Sequence, residues 1–136
     1  MSLNIENILK LFSHKFWDIV ALAKADPKGF TQLLSQMDQA ELGRLYWTYE
    51  QAIAELERED ILAQAGPDMT EDSFRAICEW LVGQGQDRYE EIMRKSEHLA
   101  ENPGRGWFIL DEVILEYRKR FQSVIPYPDD GNFFLK

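Results

Sequence analysis

The sequence predicts an all-α fold: a compact domain of about six helices followed by an irregular tail. Apolar residues recur three and four positions apart over long segments. Leu, Ala, Glu and Gln outweigh Val, Ile and Thr, which favours helices over strands. A length of 136 residues suits one domain that closes a core without metal or disulfide. Residues 1–3 read as an expression scar, 4–125 as the helical domain and 126–136 as an extended tail.

Ile5, Ile8, Leu9, Phe12, Phe16, Ile19, Val20 and Ala23 share one face, which predicts a single first helix. Trp17 falls roughly a quarter turn off that stripe. It either packs on a second neighbour or anchors a partner. His14 and Asp18 have a spacing that suits a metal or an ion pair, but no third ligand accompanies them, so a solvated pair is expected. Asp26 and Pro27 open a second helix carrying Phe30, Leu33, Leu34 and Met37. Asp38 and Glu41 form a capping-box pair, and Leu42, Leu45, Tyr46, Tyr49, Ile53 and Leu56 continue one stripe. Trp47 lies on the far side, beside Gly43, where a second helix is expected to approach.

Between Glu50 and Asp72 the acids are Glu50, Glu55, Glu57, Glu59, Asp60, Asp68, Glu71 and Asp72, against Arg58 alone, so the local charge is eight minus one, −7. Glu57, Glu59 and Asp60 are placed near a helix C-terminus, where an exposed carboxylate opposes the macrodipole by roughly 0.3–1 kcal/mol. A solvated face accounts for the run, and so does an electronegative surface that docks a basic protein.

Gln64 to Met69 reads as a loop. Thr70 then caps a helix with Phe74, Ile77, Cys78 and Leu81 inward, and Gly83 and Gly85 end it. Tyr89, Ile92, Met93 and Leu99 face inward on the helix that follows. The Gly83-Gln84-Gly85 turn resembles half a dinucleotide loop, but it follows a helix and Arg88 stands at the third glycine position, so a helix stop and restart is predicted. Cys78 on the apolar stripe is expected in the core. NPGRG at 102–106 is the clearest break, and Arg105 between two glycines is a candidate anion site. Trp107, Leu110, Ile114, Tyr117 and Phe121 form the last stripe. Pro126 and Pro128 forbid helix, so the tail should be extended, with Phe133 and Phe134 docking on the body or on a second copy.

A formal net charge of −9 without a basic stripe argues against nucleic-acid binding. No apolar run reaches the roughly 18–20 residues of a membrane span, so no membrane role is expected. Cys78 is the only cysteine and no cationic leader precedes an apolar segment, which suits a reducing cytoplasm. The di-iron signature needs a glutamate three residues before each histidine, yet Leu11 and Lys95 stand there. No catalytic residue, cofactor or metal is expected.

Phe16-Trp17, the segment DPKGFTQLLSQM leading into Asp38-Gln39-Ala40-Glu41-Leu42, and DSFRAICEWLVGQGQDRYEEIM followed by His98-Leu99-Ala100 together resemble the bacterial DUF4240 family. The resemblance runs from about Lys15 to Glu101. It departs between Leu56 and Asp68, where the family's Trp-rich tract and Gly-Cys loop are missing. It implies a helical fold and a cytoplasmic bacterial origin, and carries over no catalytic residue.

Two functions stay open. The first is a non-catalytic interaction or regulatory module, whose candidate partner surface is Glu50, Glu55, Glu57, Glu59, Asp60, Asp68, Trp17 and Trp47, meeting an unidentified basic protein, with the aromatic tail as a route to a homo-oligomer. The alternative is a small enzyme or small-molecule-binding domain that uses the spare carboxylates Glu79, Asp87, Glu90, Asp111 and Glu116.

Overall fold

Short polar side chains set most of the helix starts, because they accept from backbone N–H groups that have no partner in the first turn. The computed structural model describes residues 4–128 and 134–136. Asn4 caps α1 (Ile5–Leu9), Ser13 caps α2 (His14–Ala25) and Asp26 caps α3 (Pro27–Gln36). Asp38 and Glu41 close a reciprocal capping box on α4 (Gln39–Leu56). Helix α5 (Glu59–Ala65) starts without a side-chain cap, and Thr70 caps α6 (Glu71–Gly83). Gly85, at φ 106°, turns the chain into α7 (Gln86–Arg94), which a 3-10 turn at Ser96–His98 follows. Helix α8 (Ile109–Phe121) is the last among the described residues.

Eight α-helices therefore stand among the described residues, not about six, and there is no strand. One extra helix comes from Ser13, whose Oγ accepts from Phe16 N–H (3.2 Å) and starts a new helix inside the predicted first one. The other is α5, in a stretch where no helix was expected.

Five of the longer helices pack in a closed cycle: α2 on α3, α3 on α8, α8 on α4, α4 on α6 and α6 on α2. Phe16, Phe30, Leu45, Tyr49, Ile77 and Val113 are fully buried. Helix α7 packs on α6, α1 packs on α7, and α5 packs on the 3-10 turn. Two of the buried tyrosines donate to carbonyls, Tyr49 to Glu79 C=O (2.8 Å) and Tyr89 to Ala52 C=O (2.9 Å). Burial holds both phenols well above the usual tyrosine range.

The 102–108 segment is braced on α6. Gly106 N–H donates to Ala76 C=O (2.7 Å), Trp107 lies against Gly83, and Trp80 lies against Gly104. Trp107 thus precedes the last helix, which starts at Ile109. The close approach expected at Gly43 is made by Ile125, just before the tail and 3.9 Å from a Cβ built there, and not by a helix. Phe134 meets Phe12 edge-on (6.0 Å), whereas Phe133 lies outside the described residues.

Candidate interaction face

The acidic stretch becomes a corner because Leu56 ends α4 and the chain turns at once into α5. Arg58 N–H donates to Leu56 C=O (2.8 Å). Its guanidinium grips both carboxylate oxygens of Asp60 (3.0 and 2.9 Å) and donates to Met93 C=O (3.1 Å), tying α5 to the end of α7. That Arg58 hydrogen bond holds the Asp60 carboxyl below its ordinary range. Glu59 and Asp60 therefore occupy the first turn of α5, where negative charge suits the helix dipole, and not the C-terminal end of α4 where the sequence reading placed them. Glu57 alone of the three stays at the C-terminal cap of α4.

Helix α5 buries Ile61 fully and leaves Leu62 38% exposed. Gly66, at φ 125°, ends the helix in a conformation that glycine adopts without strain. A depression of about 450 Å³ follows, with Leu62, Ala63, Pro67 and Met69 as its apolar part and Glu59 on its edge. Glu57, Glu59, Asp68, Glu71 and Asp72 are exposed around this corner. None of the five forms an ion pair among the described residues.

The other predicted surface residues lie elsewhere. Glu50 is paired with Arg75 (2.6 Å), and Glu55 accepts from Gln51 Nε2 (2.7 Å). Trp17 is not on the surface: it is 4% exposed, packed among Phe12, Phe16 and Tyr89. Its burial follows from α2 being wedged between α3 and α6, so that more than one side of the helix is covered. Trp47 is half-buried under the tail, donating to Pro126 C=O (2.8 Å) and meeting the Tyr127 ring (5.0 Å). Arg105 is exposed, but the adjacent Gly106 N–H is engaged by Ala76 and does not face an anion.

Of the spare carboxylates, Glu79 and Asp111 are brought within electrostatic reach of each other, with Arg75 and Glu50 nearby. Burial, and then the Asp111 charge, push the Glu79 carboxyl up, against an opposing backbone contact from Trp107. Desolvation and the Glu50 carboxylate likewise raise Tyr46. Glu90 is shared by Arg94 and Gln86, and Glu116 lies 4.0 Å from Arg120. Cys78 is fully buried and its thiol is pushed up to about 12, which makes it a core residue and a poor nucleophile at neutral pH.

Sequence reasoning did not find a groove of about 510 Å³ between α2 and α3, floored by Ile19, Leu22, Leu33 and Met37 and edged by the Lys15–Glu41 pair (3.2 Å). Periodicity marks those four residues as apolar but is silent on a gap between two neighbouring helices. Leu62 was missed for a related reason, since α5 itself was not expected.

These features define a small all-helical domain with an acidic helix–turn–helix corner. The sequence profile of the DUF4240 family, described as a protein of unknown function, matches residues 13–123. The chain belongs to that family. The match extends past Glu101 to take in α8, beyond the reach of the motifs read from sequence. No curated protein and no solved structure matches the chain. Among the described residues no helix is long and apolar enough to cross a membrane.

Proposed function

We propose that this DUF4240 domain is a non-catalytic interaction or regulatory module of the cytoplasm, and that it meets a basic protein through the corner between α4 and α6. The observation that carries the reading is the Leu62–Met69 depression beside five exposed carboxylates, none of them in a salt bridge among the described residues. Carboxylates so placed steer a basic partner and set its register, while an apolar residue seated against Leu62 lengthens the contact. Glu59, Glu71 and Asp72 also favour their own helix starts. Glu57 opposes the dipole of α4, so helix stability does not account for it.

Affinity capture from lysate at about 50 mM and about 500 mM salt, which brackets strong and weak screening, tests the reading. The expected result is a partner retained at low salt, released at high salt, and lost with Glu57→Lys/Glu59→Lys or Leu62→Asp. Retention that ignores both salt and these substitutions would overturn it.

A second reading, a small enzyme or small-molecule-binding domain, is favoured by one observation: burial raises the Glu79 carboxyl beside Asp111 and the Glu50–Arg75 pair. Its test is a thermal-shift screen against divalent metals and metabolites. A ligand that raises the melting temperature of the native chain but not of Glu79→Gln would place this reading first.

A further inference from the structure

Phe134 to Lys136 end the described chain in a socket built from two distant parts of the sequence. Leu135 is 3% exposed. Its N–H donates to Thr48 Oγ1 (2.8 Å) and its C=O accepts from Ser13 Oγ (2.6 Å). Thr48 is fully buried on α4. The Ser13 hydroxyl also caps α2, so its direction is set by the helix. The ring of Phe12 receives Phe134 edge-on. Two hydrogen bonds thus hold the main chain of Leu135, a closed socket holds its side chain, and an aromatic wall holds the residue before it. This is the chemistry of a docked linear peptide. A separate anchor lies upstream, where Trp47 holds Pro126 and Tyr127. The tail lies beyond residues 13–123, the part shared with the family.

We propose that the socket of Phe12, Ser13 and Thr48 also takes the tail of a second copy of this chain, so that two copies exchange Phe134–Leu135 reciprocally. Identical sequence ensures that every contact made within one chain is available between two, and a reciprocal exchange closes with two-fold symmetry. A short tether presents its own tail at an effective concentration on the order of millimolar, so the intact chain is closed on itself at micromolar concentration. Pro126 and Pro128 each fix a backbone dihedral upstream of the docked Phe134–Leu135. Exchange gains when the protein is concentrated or when the chain's own Leu135 contact is weakened. The proposal is independent of the acidic corner, none of whose acidic residues forms the socket.

The probe is a fluorescent synthetic peptide of residues 126–136, titrated into the intact protein, into Leu135→Ala and into Phe134→Ala/Leu135→Ala, each checked for folding by circular dichroism. The folded variants should bind the peptide saturably and at least about tenfold more tightly than the intact protein, whose own tail competes. A peptide carrying Leu135→Asp should not bind. Sedimentation of the intact protein from about 10 μM to about 1 mM should show a growing dimer fraction, absent in the Leu135→Asp protein. Folded variants that ignore the peptide would overturn the socket. An intact protein that stays monomeric throughout would overturn exchange, and that measurement stands even if both alanine variants unfold.

Discussion

Gly83 and Glu79, four residues apart on α6, show two different constraints on a single side chain. At Gly83 the constraint is space: a Cβ would meet Trp107 Cδ1 at 2.6 Å and Cγ at 2.7 Å, and the rigid indole is itself held by the braced loop. Gly83→Ala should therefore cost about 1–3 kcal/mol through overpacking despite the better helix propensity of alanine, as read from urea unfolding. At Glu79 the constraint is charge. Its folded carboxyl is raised by burial and then by Asp111, so the folded state binds the proton more tightly than the unfolded state does. The stability this adds is full below the unfolded value, near about 4.3, and is lost as pH rises through the folded value. Glu79→Gln removes that loss while keeping an oxygen for Trp107. The urea midpoint of the variant, relative to the native chain, should rise between pH 4 and pH 7; an unchanged or falling difference would contradict the burial argument. Neither residue announces its role in sequence. Gly83 reads as a plain helix stop, and Glu79 as one spare acid among five, because Trp107 and Asp111 reach them from far along the chain.

Among the helices, starts are easier to read than extents. Thr70, Asp38 and Asp26 act on N–H groups three residues away, so the cap and its target sit in one short window of sequence. The break at Ser13 is hidden, because Ile8, Leu9, Phe12 and Phe16 bury on both sides of it and keep the pattern of one uninterrupted helix. Helix α5 is hidden for the opposite reason: seven residues with one buried side chain carry too little period to detect, and Arg58 holds them through a carbonyl on α7. The end of α8 offers a test. Gln122 takes a left-handed conformation, φ 54° and ψ 38°, at the position after Phe121. A side chain there costs roughly 1–2 kcal/mol that glycine avoids. Gln122→Gly should raise stability by about 0.5–1 kcal/mol after the added entropy of the unfolded chain is subtracted, measurable as a higher urea midpoint at unchanged slope.

In the molecule as a whole, apolar spacing, capping residues and breakers are local quantities, and they suffice for the all-α class, for most helix starts and for most of the buried stripe. Motif combinations between Lys15 and Glu101 likewise suffice for the DUF4240 family. The acidic run is as plain in composition as it is in space. Which acids stay exposed and unpaired is another matter: Arg75 takes Glu50 and Arg58 takes Asp60, leaving Glu57, Glu59 and Asp68 around Leu62. Trp17 and Trp47, alike in sequence as tryptophans off their stripes, part company for the same reason. One is enclosed because α2 is flanked by α3 and α6, and the other is roofed by a tail some eighty residues downstream. The Leu135 socket joins Ser13, Thr48 and Leu135, which no window of sequence contains. Local sequence determines helices because their hydrogen bonds and stripes repeat within four residues. Surfaces, grooves and the seating of the tail were decided by the closed packing of α2, α3, α8, α4 and α6, since only that packing sets which distant side chains meet.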